Sequence, residues 1–380
     1  MPFFPDSQNA TINDSILLDQ SIGPFNISMT NGQIGIDALL KASNPDAAHN
    51  SSARDYAPRC QPGTREQYIK DIVGWGAPTI GADDPLPLFW MKGLAGVGKS
   101  AIAQTCAEEL KKLGRLGAAF FFAVNIQEDA EQFFPTIAYQ LSTNFPNYRD
   151  LLDQTIRRDE TILKKVMEVQ FEALIAKPFQ ELETTGKGIE RKMVIIVDGL
   201  DECKKAGDQS RIINIIAAAA RSGVTPFLWA FFSRPEPHIE ATFTSDDVDR
   251  ITCMVLLPVS DDANPDIELY LRSGFKNTLR RRNIPMKFQW PSDDDIQTLV
   301  KAAKGLFVYA ATVLRDVDQA GSPSEALRAV CAATSNPTDG SLFGGLDAFY
   351  MLIMQRIPPK DLSTILLLCC SLFEQPTTTI

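Results

Sequence analysis

Residues 87–101 read PLFWMKGLAGVGKSA, and this stretch decides the fold. The apolar run Leu86–Met91, bounded by prolines before it and glycine after, predicts a buried β-strand. The chain then turns through Gly93-Leu94-Ala95-Gly96-Val97-Gly98-Lys99-Ser100, which satisfies the G-x-x-x-x-G-K-S/T spacing of a phosphate-binding loop. Glycines there let consecutive backbone N–H groups converge on a polyphosphate with no Cβ in the way. Lys99 supplies a cation for β- and γ-phosphate oxygens, and Ser100 a hydroxyl for Mg²⁺. Ile102, Cys106, Leu110 and Leu113 then recur on one helical face, so a helix N-terminus points its dipole at the same anion. The candidate nucleotide-binding residues are Gly93, Gly96, Val97, Gly98, Lys99, Ser100 and Ala101.

A second chemical site follows in residues 194–202, VIIVDGLDE. A strand that delivers an aspartate at its carboxyl end suits a Mg²⁺-nucleotide site, so Ser100 and Asp198 are the candidate metal residues. Gly199 lets the chain turn sharply out of the sheet. Asp201 and Glu202 then swing back, where one of them can orient or deprotonate an attacking water. Glu202 is the preferred of the two. A third element is Ser233-Arg234-Pro235, where an arginine at the carboxyl edge of a sheet faces the nucleotide crevice and can contact a γ-phosphate. The candidate catalytic set is therefore Glu202, Asp201 and Arg234, while His238 reads as structural. The sequence holds no N-K-x-D guanine-reading motif, which favours adenine, so the expected cofactors are ATP/ADP and Mg²⁺.

Around these motifs the chain alternates strand and helix. Further strands are expected at Ala118–Val124, Lys192–Val197, Pro226–Ser233 and Arg250–Leu257. Helices are expected up to Trp75, over Glu131–Asn144, over Arg149–Leu182 with Pro178 as an interruption, and over Ser210–Arg221. Apolar strands alternating with helices predict an α/β fold with a parallel sheet covered on both faces. Beyond Pro258 only helical periodicity remains, over Asp262–Phe275, Ser292–Ala303, Leu306–Asp318 and Ser324–Ala333, then Ala348–Arg356 and Asp361–Phe373. The last helix ends without a capping structure, as if the chain were cut mid-domain. Residues 1–57, rich in Asn, Ser, Asp and Ala, read as lying largely outside the main fold. Within them Asn31-Gly32 is a hairpin turn signal that would set Met29 opposite Ile34 and Ile27 opposite Ile36, with disorder as the alternative.

A length of 380 residues accommodates two or three domains, and 44% hydrophobic with 22% charged residues is a globular composition. The net charge of −10 argues against a dedicated nucleic-acid grip. Seven cysteines without C-x-x-C spacing argue against a zinc site or disulfide framework, and for a reducing, cytoplasmic setting. No apolar run reaches membrane-spanning length.

Taken together, GLAGVGKS, VIIVDGLDE, FFSRP at 231–235 and GLFVYAATVLRDV at 305–317 resemble the NACHT-type branch of the signal-transducing P-loop ATPases (STAND). The fungal, nephrocystin-like group is the nearest in flavour. The lead-in RCQPGTREQYIKDIVGW at 59–75 resembles the segment that precedes the loop in those proteins. The resemblance implies a P-loop NTPase core of the ASCE type, with the sensor strand between the strands serving Lys99 and Asp198. It also implies the division 58–258 for the NTPase domain, 259–340 for a helical domain and 341–380 for the start of a winged helix. Such proteins are ATP/ADP-controlled switches, so partners would be nucleotide, together with self-association or other proteins engaged through effector and repeat domains that this sequence does not show. The winged-helix histidine of that family has no candidate here. Two other readings stay open: a P-loop metabolic enzyme such as a small-molecule kinase, and a non-hydrolysing nucleotide-binding scaffold. A kinase would need an arginine-bearing substrate lid, and Arg280-Arg281-Arg282 reads better as a solvated helix end.

Overall fold

The computed structural model describes residues 33–79, 81, 83–123, 130–284, 290–334 and 344–355. In chain order, helix α1 (Ile34–Ala42) and α2 (Glu66–Gly76) precede strand β1 (Leu88–Lys92) and α3 (Lys99–Lys112). Strand β2 (Leu116–Phe121) leads into α4 (Phe133–Asn144), α5 (Pro146–Arg158), α6 (Met167–Phe171) and α7 (Lys177–Thr184). Then come β3 (Met193–Asp198), α8 (Ala206–Ser222), β4 (Phe227–Ser233), α9 (Pro237–Phe243), α10 (Asp246–Asp249) and β5 (Thr252–Leu256). The remainder is helical: α11 (Asn264–Arg282), α12 (Asp293–Ala303), α13 (Phe307–Gln319), α14 (Pro323–Thr334) and α15 (Gly344–Gln355).

The five strands form one sheet in the order β2-β3-β4-β1-β5, and every pairing is parallel. β4 therefore lies between β1 and β3, as the resemblance implies. The four inner and left-hand strands are buried on both faces, which is why they read as continuous apolar runs rather than alternating ones. The two faces are covered by different helices. Trp90, Phe120, Trp229 and Phe231 face the larger helical layer, whereas Phe89, Met91, Phe121, Val194 and Phe232 sit with α3 on the other face. Burial of Ile102, Cys106 and Leu110 against that face seats α3 on the sheet and so fixes the loop that precedes it.

Helices α11 to α15 bury a separate core that includes Leu271, Phe275, Leu299, Tyr309, Val313 and Phe349. Phe349 of α15 packs edge-on to Tyr309, and Gly345 lies so near the Ala302 carbonyl that a Cβ would fall 2.4 Å from it. Residues 344–355 thus pack as part of the helical cluster, and Asp361–Phe373 lies outside the described residues.

Two further expectations are corrected. The second arm of the Asn31-Gly32 hairpin is helical instead, and residues 33–57 are built into the main fold. Ile36 and Leu39 of α1 are buried against α4 and α5, and Asp153 accepts a hydrogen bond from the Ile36 N–H at 3.2 Å. A Cβ on Gly35 would meet the Asp153 carbonyl at 2.4 Å, so α1 and α5 approach as closely as a glycine allows. Apolar burial on α5 outweighs a local turn preference, because an isolated hairpin is marginal in water. The first arm, including Met29, lies outside the described residues. Pro178 does not break its helix either. A wide π-helical turn over Glu172–Ala176 joins α6 to α7 and absorbs the proline, whose missing N–H falls in the first turn of α7.

Candidate functional site

The loop between β1 and α3 is held from several sides. Its first residue, Gly93, donates its N–H to the Ser233 carbonyl at the end of β4 (3.3 Å), and a Cβ there would sit 2.7 Å from the Leu257 carbonyl. Gly96 and Gly98 take positive φ of 80° and 103°, a region that costs other residues strain. Space beside Gly98 is open, with nothing within 4 Å of a built Cβ. Lys99 opens α3 and arches back over the loop, donating from Nζ to the carbonyls of Gly93 (2.7 Å) and Leu94 (3.0 Å). Burial holds its ammonium pKa below the usual value, against the opposing pull of Asp201 and Asp198. Ala101 sits in the first turn of α3, where its carbonyl accepts from the Thr105 hydroxyl.

Asp198 ends β3 with its carboxyl enclosed. Desolvation pushes its pKa up to about 7, against a hydrogen bond from Ser100 and the positive charges of Arg54 and Lys99. One carboxyl oxygen, Oδ1, is buried without a hydrogen-bond partner. An orphaned hard oxygen next to a serine hydroxyl fits a divalent cation that prefers oxygen ligands, so this pair suits Mg²⁺.

Gly199, at φ 71°, turns the chain into a short 3₁₀ turn over Leu200–Glu202. The two acidic residues of that turn are differently placed. Asp201 is engaged by Arg234 twice: Oδ1 accepts the Arg234 backbone N–H at 3.0 Å, and Oδ2 lies 3.2 Å from its Nε. Gln209 braces the same turn by donating to the carbonyls of Asp201 (3.2 Å) and Cys203 (2.6 Å). His238 Nε2 lies 2.5 Å from Gln209 Oε1, a structural position two steps from the acidic turn. Asp198, Asp201, Arg234 and Glu202 all act electrostatically on the Lys99 ammonium. The carboxyl ends of β1, β3 and β4 thus gather Lys99, Ser100, Asp198, Asp201, Glu202 and Arg234 in one place.

Sequence reasoning missed two arginines. Arg54, in the segment read as an extension, stacks 3.7 Å over the Phe121 ring and reaches Gln104 Oε1 through Nε (3.3 Å) and Nη2 (3.2 Å). Phe121 is the strand partner of Asp198, and Gln104 lies one turn along α3 from Ser100. Nothing in the local sequence marks Arg54. Arg65 lies within the recognised lead-in, but its contacts are remote in sequence: its Nη2 donates to the Val97 carbonyl at 3.1 Å. Arg281 of the triple-arginine run pairs with Asp318 at the end of α11, far from these strand ends in the sequence.

Comparison with known proteins adds one family match. The model of the Nephrocystin 3 N-terminal family matches residues 79–234, the stretch from just before β1 to Arg234. No curated protein matches the chain. Among solved structures, C. elegans PCH-2 superposes with a TM-score of 0.40 at 12% identity, covering 84% of this chain and 73% of that one. The Aeropyrum pernix ORC1 protein in complex with DNA gives 0.38 at 14% identity, covering 86% and 76%. Drosophila ORC bound to poly(dA/dT) DNA and Cdc6 gives 0.36 at 14% identity, with 92% of this chain spanning 52% of that one. Superpositions this loose assign nothing to the present chain. The exclusion of nucleic acid drawn from net charge is withdrawn: two of these structures, of other proteins, are complexes with DNA, and net charge alone does not carry the exclusion. A whole-chain charge of −10 sums over all surfaces and does not describe any single face. Among the described residues, no helix is long and apolar enough to cross a membrane.

Proposed function

We propose that this chain is the nucleotide-binding module of a regulatory P-loop ATPase that takes ATP/ADP with Mg²⁺. The observation that carries the reading is the convergence of a positive-φ glycine loop, Lys99, and a buried Asp198 with one unpartnered oxygen, at the carboxyl edge of a β2-β3-β4-β1-β5 sheet. In this reading the amides of residues 93–101 and Lys99 hold the phosphates. Lys99 Nζ, which reaches the Gly93 and Leu94 carbonyls at the mouth of the loop, would turn to phosphate oxygens. Ser100 and Asp198 hold Mg²⁺, which neutralises phosphate charge when bound.

The two acidic residues divide the remaining work. Asp201 is committed to Arg234 and acts as its positioning residue. Glu202, in the same turn, is assigned to orient or deprotonate the attacking water. Arg234 presents its guanidinium beside the γ-phosphate and so distinguishes ATP from ADP. The match to the Nephrocystin 3 N-terminal family and the helical cluster after Pro258 support a NACHT-type regulatory role over a metabolic one. Cys106, buried as a free thiol, suits a cytoplasmic protein. Phosphate release from Mg²⁺-ATP, followed with and without sugar or nucleoside acceptors, tests the reading. Slow, acceptor-independent release supports an ATPase. Release that requires an acceptor supports a kinase, and tight binding with no release supports a scaffold.

A further inference from the structure

The phosphate loop is gripped on its back by two segments that are distant in sequence. The Gly96 carbonyl accepts a hydrogen bond from the Val308 N–H in the first turn of α13 (3.1 Å). The next carbonyl, that of Val97, accepts from Arg65 Nη2 (3.1 Å). A trans peptide points its C=O and the following N–H in opposite directions. Fixing these two carbonyls therefore turns the N–H groups of Val97 and Gly98 to the opposite side of the loop, where consecutive amides can meet an anion. The fit on the back is close, since a Cβ on Gly96 would fall 2.4 Å from Val308 Cγ1.

Arg65 is itself built in. It caps α2 in a left-handed conformation (φ 55°) and is 8% exposed. Its backbone N–H donates to Asp266 Oδ2 of α11 at 2.9 Å, and its guanidinium lies 4.8 Å from the Phe307 ring of α13. One residue thus touches the phosphate loop and α13 through its side chain, and α11 through its backbone N–H. Burying a guanidinium is costly unless it does something there, and its Nε has no hydrogen-bond partner.

We infer that Arg65 is a positioning residue which, with the Val308 amide, pre-orients the phosphate-facing amides of the loop, so that the helical domain supplies part of the affinity for nucleoside di- and triphosphates. This rests on the nucleotide-binding reading above. Because the two bonds act on the loop and not on the γ-phosphate, ATP and ADP are affected alike. Because binding couplings are reciprocal, bound nucleotide in turn strengthens the seating of α13 on the loop.

The test uses calorimetric titration of Mg²⁺-ATP and Mg²⁺-ADP into the full chain, its Arg65→Ala, Arg65→Lys and Phe307→Ala variants, and Lys99→Ala as control. Arg65→Ala is expected to weaken both nucleotides about tenfold, the loss of one charge-assisted bond. Arg65→Lys, which keeps a cation over Phe307, recovers part of that loss. Phe307→Ala leaves the loop untouched yet weakens both nucleotides about threefold, and it carries the decision if circular dichroism shows Arg65→Ala unfolded. In hydrogen exchange, nucleotide protects residues 306–309 in the wild type and less so in Phe307→Ala. Wild-type affinities in folded Arg65→Ala or in Phe307→Ala, or a loss confined to ATP, overturn the inference. A wild-type chain that binds no nucleotide, or binds it as well after Lys99→Ala, refutes the nucleotide reading instead.

Discussion

Asp198→Asn should stabilise the ligand-free fold, increasingly as the pH rises from about 4 and in full above about 7. The carboxyl of Asp198 is enclosed at the end of β3, where burial pushes its pKa from an ordinary 3.8 up to about 7. In the unfolded chain it ionises near 3.8, so between these values the folded state holds a proton that the unfolded state has lost. The associated stability is fully present below about 3.8 and disappears as the pH rises through 7. Each pH unit of separation is worth ~1.36 kcal/mol, so the ionised carboxylate costs the empty fold about 4 kcal/mol at most. Asparagine keeps an acceptor for Ser100 and carries no charge. Thermal unfolding in chelator at pH 5 and pH 8 measures the effect. At pH 8 the variant should melt higher than wild type by about 5 °C or more, and the gap should shrink at pH 5. Mg²⁺-ATP should then stabilise wild type and leave the variant nearly unmoved. A variant with no pH-dependent gap, or one less stable at pH 8, would refute the argument that this carboxylate is kept unpartnered for a cation.

The acidic turn gives a second contrast. Glu202→Gln should bind Mg²⁺-ATP like wild type while single-turnover phosphate release slows by about 10²-fold. Asp201→Asn should instead reduce the preference for ATP over ADP by releasing Arg234. Arg234→Ala should lower ATP affinity roughly five- to tenfold and leave ADP affinity unchanged, by parallel titrations, since one γ-phosphate contact is lost. In the core, Phe133 packs with Phe120, Phe122, Phe134 and Trp229 at ring-centroid distances of 5.0–6.4 Å. Phe133→Ala should therefore cost ~3–5 kcal/mol in urea unfolding, and a loss under 1 kcal/mol would mean that this layer is loosely packed.

Much of the site was legible because its chemistry is local in sequence. The loop at 93–100 needs its glycines, lysine and serine at fixed offsets, and Asp198 needs only a strand before it and a glycine after. The strands could be read because full burial on both faces leaves unbroken apolar runs. Their spatial order could not be read from the runs themselves. The resemblance implied only β4 between β1 and β3, and the places of β2 and β5 come from the structure, since strand pairing is a long-range property. The same limit explains the failures. Ile36 and Leu39 are apolar at helical spacing, but only the approach of α5 selects helix over the Asn31-Gly32 turn. Arg65 pairs with a residue 201 positions away, and Arg54 contacts a helix 50 positions away. Asp201 and Glu202 are adjacent and chemically alike. The two bonds that tie Asp201 to Arg234 are long-range and leave no mark in the local sequence.

The most direct test of the central claim is calorimetric titration of Mg²⁺-ATP into the wild-type chain and Lys99→Ala. The arrangement predicts saturable, one-to-one binding to wild type. Binding should be lost in Lys99→Ala, because the ammonium that reaches across the loop is removed from a partly desolvated site. A folded Lys99→Ala protein that binds Mg²⁺-ATP as tightly as wild type would contradict the assignment of residues 93–100 as the phosphate-binding loop.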